Sequence, residues 1–474
     1  MKRCLAPVLA ALLACPQRGA TAPSSADGIF EASLRRLGAE LTIPGMAYAI
    51  VGGGKILHSG QLNADASTPL TIDTALRFAS VTKALTAVAL MRAVDRGALS
   101  LDDSLLKWLP AFNGDVGVTV RHLASHSSEG IPGHEYVYGT SRYARLGGVL
   151  TQALEAASFE EVLRKEILTP ARMTWRDSPH LGAHAGLVST VSDMALFVQA
   201  LQDNRLLSRT RFEQMTTPFV SVKGLALPAG VGFFSQQVGG ERVVWSFGQD
   251  DPEHSSALLL MLPERNLALV LLANTDELSN PFRLLMGDVR YSPFATAFLD
   301  AFAPEVGKSI GERERLAQDT LVSLWNQDRV AARRRFHQLA RLPPGGSHDF
   351  VAHFIATSLV DSETRVYAQA LDAELYLGHP TNRWVLLMSA GLNSQLDRFD
   401  VAGRRYEAIL ALRNQEPDGL ASLFRAWSFT GLARIHKPTD PKRALRYVEQ
   451  GLATGVTGGT RNDLIGLQRE LASP

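Results

Sequence analysis

The sequence predicts an α+β fold: an antiparallel sheet flanked by helices, with a helical region inserted between its strands, spans residues 28–300, and an all-helical C-terminal domain follows over 303–474. Three observations carry this. Alternating apolar runs punctuated by glycine occur near residue 46 and return between 230 and 273. Helical patterns dominate between those two regions, and beyond about residue 303 strand signals stop.

The chain opens with Met1-Lys2-Arg3 and an apolar run from Cys4 to Ala14. These are the charged and hydrophobic regions of a secretory signal over residues 1–22, too short to span a bilayer. Leu12-Leu13-Ala14-Cys15 resembles the bacterial lipoprotein box, in which the cysteine is lipidated; Ala20-Thr21-Ala22 is a competing cleavage site, followed directly by Pro23. Both routes stay open, and both imply an exported, periplasmic protein that meets the membrane only through a lipid on Cys15, if at all. Cys4 and Cys15 are the only cysteines, so the folded body holds no disulfide, thiol nucleophile or cysteine metal site. Lys and Arg number 48 against 47 Asp and Glu, with no long run of one sign, which excludes a nucleic-acid footprint.

After a linker near residues 16–27, a helical segment leads to Met46–Val51, Gly52-Gly53-Gly54 and Lys55–Gly60, read as strand, glycine turn and strand. Residues 80–205 are mostly helical, and strands are expected at 230–237, 242–248, 257–262 and 267–273. The apolar stretch Ala257–Asn274 is broken by Pro263-Glu264-Arg265-Asn266, which makes it a buried hairpin rather than a membrane helix. Farther on, helices are expected at 384–396, 401–412, 420–435 and 442–453. Tyr406 and Tyr447 fall at comparable places, a repeat of roughly 40 residues that fits either a tetratricopeptide-like array or an ordinary helical bundle. Such an array would receive a peptide or protein partner on its concave face.

Ser80-Val81-Thr82-Lys83 lies where the long apolar helix begins. A three-residue offset puts hydroxyl and amine on one helix face, a nucleophile beside its base, while helix-start N–H groups favour a developing oxyanion. The competing reading is an N-cap serine with a snorkelling lysine. Spacing alone decides nothing, since Ser104-Leu105-Leu106-Lys107 shares it on an expected surface segment. Tyr138, in Tyr138-Gly139-Thr140, can carry a proton between a serine and a leaving group, or be a surface aromatic. In Trp245-Ser246-Phe247-Gly248-Gln249, on an expected edge strand, Gly248 would admit a substrate close to the backbone, or the segment is a core strand end. His122 and His126 have a zinc-pair spacing, but the glutamate of His-Glu-x-x-His is missing, so they are read as structural. No metal or cofactor is called for.

Together these segments resemble the serine β-lactamase and penicillin-binding-protein superfamily, specifically its class C β-lactamase-like branch, over roughly residues 28–275. The resemblance is carried by Ile43-Pro44-Gly45, Leu76 to Lys83, Gly97 to Asp103, Thr119 to His126, Gly186 to Asp193 and Val244 to Gly248. It implies that Ser80 forms an acyl-enzyme, that Lys83 and Tyr138 share base and acid duty, and that the N–H groups of Ser80 and Gln249 form the oxyanion hole. Two positions depart from the family pattern: Thr140 stands in place of an asparagine, and Ser246 in place of a lysine or histidine. Phe247 makes the adjoining pocket narrower or more apolar. The expected substrate is therefore an ester or uncharged amide, small-molecule or peptide, rather than a β-lactam. Asp250, Asp251, Glu253 and His254 are read as a solvated loop beside the site. A non-catalytic binding protein of this fold whose helical domain recruits a partner, and a weak β-lactamase, are the alternatives.

Overall fold

The computed structural model describes residues 25–64, 69–250, 254–345, 349–413 and 419–472. The expected leader, with Cys4 and Cys15, and the loop residues Asp251 and Glu253 lie outside the described residues.

Helix α1 (Ala26–Leu41) starts at Ser25, whose hydroxyl accepts from the Gly28 N–H at 3.3 Å, and its Phe30, Leu34, Leu37 and Leu41 form one buried stripe. The expected hairpin follows as β1 (Gly45–Gly52) and β2 (Lys55–Asn63). Gly53 and Gly54 turn it at φ 56° and 72°, left-handed values that a residue without Cβ adopts freely. A two-stranded ribbon joins β3 (Leu76–Arg77) to β4 (Val188–Ser189). The remaining strands are β5 (Phe234–Val238), β6 (Glu241–Asp250), β7 (Ser255–Leu262) and β8 (Leu267–Ala273). Strand β5 starts four residues later than expected, because Gly230 N–H donates to Phe233 O at 2.9 Å in a tight turn.

The main sheet runs β2-β1-β8-β7-β6-β5 with every neighbour antiparallel. Met46 faces Ala273 and Gly52 faces Leu267, so the first hairpin is stitched to the last strand. Alternation along β1 sends Met46, Tyr48 and Ile50 to α1 and to the helices beyond residue 290. Ala47, Ala49 and Val51 face the inserted helices, chiefly α2 (Thr82–Asp95) and Val191–Gln202. With both faces covered, the central strands read as unbroken apolar runs. All eight residues of β7 are buried, and Ala257–Asn274 is the expected hairpin.

The C-terminal region is helical throughout its described residues. Arg383–Gln395, Phe399–Ala411, Gly419–His436 and Pro441–Leu452 match the expected spans within a residue or two. The apolar cluster on the α1 face of the sheet continues through Leu321, Phe336 and Ile355 as far as Leu396. Separate clusters form only farther out, around Tyr406 with Phe424 and around Val448 with Leu464. Among the described residues no helix is long and apolar enough to cross a membrane.

Candidate active site

Ser80 does not sit on the first turn of α2 but in a tight 3₁₀ turn, Ala79–Val81, that runs into it. Ala79 is held at φ 46°, a left-handed conformation that costs a residue with Cβ roughly 1–2 kcal/mol. Surrounding bonds enforce it. Thr82 Oγ1 donates to Ala79 O at 2.6 Å and accepts the Leu187 N–H at 3.2 Å. Phe78 N–H donates to Leu187 O at 2.9 Å, and Thr86 Oγ1 donates to Ala183 O at 2.7 Å. The segment 183–187 thus straps the start of α2, and Ser80, between buried Ala79 and Val81, is the residue of the turn that stays half-exposed.

Lys83 is 3% exposed. Its Nζ lies 2.8 Å from Ser80 Oγ and donates to His184 O at 2.8 Å. Burial pushes its pKa down to about 7, because a desolvated ammonium is costly and no carboxylate offsets it. A neutral amine keeps a lone pair, which is what a base for the serine proton requires. The His184 imidazole is likewise pushed down, to about 4, by burial and then by the lysine.

Tyr138 hydrogen-bonds Ser80 through its side chain, and Lys83 Nζ lies 5.0 Å from its ring centroid. Burial of the hydroxyl raises its pKa well above the ordinary tyrosine value, and the bond to Ser80 moderates that rise. Behind it lies His126, whose ring centroid is 4.5 Å from that of Tyr138 and 5.2 Å from that of Tyr143. His126 Nδ1 accepts from the Gly139 N–H at 3.2 Å, so its proton belongs on Nε2; burial and then Lys83 hold its pKa well below normal. Tyr143 completes the stack by donating to Lys83 O at 3.0 Å.

Strand β6 forms the opposite wall. A Cβ on Gly248 would stand 2.2 Å from Phe78 O, so only glycine lets this strand lie against the Ser80 turn. Ser279 Oγ donates to Gly248 O at 2.7 Å, and Ser255 Oγ donates to Arg77 O at 2.9 Å. Strand β5 pairs only as far as Trp245, so Ser246 to Asp250 is indeed the edge half of β6. Ser246 and Phe247 are buried there at 4% and 5%, and Phe247 packs on Tyr138 with ring centroids 5.6 Å apart. Gln249 follows at the rim, opposite Ser256 on β7. Asp250 is not a solvated loop residue: it ends β6 and lies 3.5 Å from Arg77 Nη1.

The structure therefore brings Ser80, Lys83, Tyr138 and the Ser246–Gln249 strand together, but not Thr140. Gly139, tied to His126, precedes a short helix, Thr140–Ala144, that turns Tyr143 inward and leaves Thr140 exposed. Lys83 meets a backbone carbonyl from 183–187 on its far side. Ser104 and Lys107 lie apart, Lys107 pairing with Asp103 at 2.9 Å on the surface. His122 is a helix-capping residue that accepts the Thr119 N–H at 3.1 Å, and no cluster of metal-ligating side chains occurs among the described residues. Sequence reasoning missed Tyr143, His184 and the place of His126. The available signal was Tyr143 as the one aromatic among Thr140, Ser141 and Arg142.

A family model described as "Beta-lactamase" matches residues 30–285. Esterase EstB of Burkholderia gladioli is 33% identical over 156 residues, 30% of this chain and 38% of that protein. A β-lactamase of Escherichia coli (strain K12) is 25% identical over 234 residues, 38% of this chain and 62% of that protein. Both alignments thus span less than two thirds of the relative. Among solved structures, an octameric penicillin-binding protein homologue from Pyrococcus abyssi superposes with a TM-score of 0.51 at 22% identity, covering 62% of this chain and 81% of that one. That likeness concerns the fold alone.

Proposed function

The chain belongs to the β-lactamase family, and from that premise we propose that it is an exported serine hydrolase acting through an acyl-enzyme on an ester or uncharged amide. One observation carries the reading: Lys83 Nζ, 2.8 Å from Ser80 Oγ, has its pKa pushed to about 7 by burial. Lys83 takes the proton as Ser80 Oγ bonds to the substrate carbonyl carbon. The resulting oxyanion sits by the N–H groups of Ser80 and Gln249. Tyr138 returns a proton to the leaving group as its bond to carbon breaks, and water then attacks the acyl-enzyme with the roles reversed.

The residues around Ser80 support the substrate class. Ser246 supplies no cation for a carboxylate, and Phe247 lies against Tyr138. A charge-assisted hydrogen bond contributes about 1.5–3 kcal/mol against about 0.5–1.5 for a neutral one, which favours uncharged acyl donors. The esterase among the relatives supports this choice. Export rests on the leader of residues 1–22, with lipidation at Cys15 and cleavage after Ala22 as its two routes. The test is labelling with a fluorophosphonate, followed by peptide mapping. Ser80 should carry the phosphonyl group, and Ser80→Ala should lose both label and esterase turnover; turnover that survives in Ser80→Ala sinks the reading.

A further inference from the structure

The segment that carries Tyr138 is held from the far end of the chain. Between helices Arg365–Gly378 and Arg383–Gln395, the linker His379-Pro380-Thr381-Asn382 lies against residues 129–137. His379 Nδ1 is 2.9 Å from Glu135 Oε2, and Glu135 Oε1 takes Lys223 Nζ at 2.9 Å and Thr381 Oγ1 at 3.3 Å. Arg383 Nη2 lies 2.9 Å from Glu129 Oε1. Glu129, Glu135, His379, Asn382 and Arg383 are each at most 5% exposed.

Asn382 does two things at once. Its Oδ1 accepts the N–H groups of Trp384 and Val385 at 3.0 and 3.4 Å, capping the helix that follows. Its Nδ2 donates to Tyr136 O at 2.7 Å, two residues before Tyr138. An acceptor facing the helix and a donor facing the loop are both needed, and among cap residues only asparagine offers both on one planar group.

We infer that Asn382, supported by the Glu135–His379 pair, is a positioning residue for the Tyr138 hydroxyl, which makes the C-terminal helices part of the active-site machinery. The inference rests on the reading of Tyr138 as proton carrier. A hydroxyl that must deliver a proton within one turnover tolerates little displacement, and an error of about 1 Å can cost roughly 100-fold. The loop around Tyr138 is also anchored by Tyr136 Oη donating to Leu285 O at 2.8 Å, in the turn Leu284–Met286. Asn382 and Glu135 supply the anchors on the helical side.

Asn382→Asp keeps the cap and replaces the donor facing Tyr136 O with an acceptor. In the full-length protein, kcat for an alkyl ester, whose leaving group needs a proton, should fall roughly 10- to 100-fold with KM changed less than about twofold. For the p-nitrophenyl ester of the same acid, whose leaving group needs none, the loss should be far smaller. Glu135→Gln should show the same bias. Thr381→Val, at the exposed edge, removes one bond to Glu135 without threatening the fold and should show it more weakly. In a Tyr138→Phe background Asn382→Asp should add nothing. Equal losses on both esters, no loss in any of the three variants, or full additivity with Tyr138→Phe overturns the inference. If Tyr138→Phe itself turns over alkyl esters at the wild-type rate, the reading of Tyr138 fails first; a discriminating Tyr138→Phe beside an indifferent Asn382→Asp removes the inference alone.

Discussion

Lys83 is a long amine side chain that is almost completely buried, and its chemistry follows from that. Burial lowers its pKa to about 7, and the base form is the one that acts. Turnover therefore gains as the proton leaves: kcat/KM for an ester should rise with pH on an acid limb centred near 7. Tyr138, shifted upward by burial, stays protonated beyond the ordinary tyrosine range. A pH profile with its acid limb above pH 9 would remove Lys83 as the base. Stability moves in the same direction. Between about 7 and the ordinary lysine value of 10.5 the unfolded chain holds a proton that the folded one has released, so folding is favoured by up to about 1.4 kcal/mol per pH unit as pH rises. The motif residues could be read from the sequence because their spacing is local. Thr140, His126 and Tyr143 could not, since which side of a loop faces inward depends on what packs behind it. Here that is decided by the bond from the Gly139 N–H to His126.

At the scale of elements, the site is built on the contact between the Ser80 turn and the edge half of β6. Gly248→Ala would put a methyl 2.2 Å from Phe78 O, backbone that cannot swing aside as a side chain does. Overpacking of this kind costs about 1–3 kcal/mol, and moving the strand away from Ser80 should lower kcat/KM by about 100-fold or more. Urea midpoints and ester kinetics measure the two effects separately, and a variant with wild-type kinetics would show that β6 does not set the site. Strand positions were readable from alternation and turn residues, as in β8, whose expected and observed bounds coincide at 267–273. The 3₁₀ turn at Ser80 was not, because Ala79 has no preference for φ 46°; bonds from Thr82 and Leu187 impose it.

At the scale of the molecule, sheet and C-terminal helices share one apolar cluster reaching from Phe30 to Leu396. The last strand ends at Ala273, and the apolar packing runs on without a break past residue 303. Deleting residues 312–474 would remove the part of the apolar cluster that runs from Ala317 to Leu396, and would strip Glu129, Glu135 and Tyr136 of their C-terminal partners. The fragment 25–311 should be aggregated, or melt far below the full chain, when assayed by size-exclusion chromatography and thermal unfolding. A monomeric fragment with wild-type ester turnover would show that the helices are an appendage.

The pairing of β1 with β8 also sets a timetable. Gly52 finds its partner only when Leu267 has been made, roughly 10–40 s later at ~5–20 residues per second. The centre of the sheet, and with it the wall opposite Ser80, cannot form on a nascent chain before then. The bond from Asn382 to Tyr136 waits longer still. A ribosome-bound chain thus lacks its completed sheet, and the fixed position of Tyr138, through more than half of its synthesis.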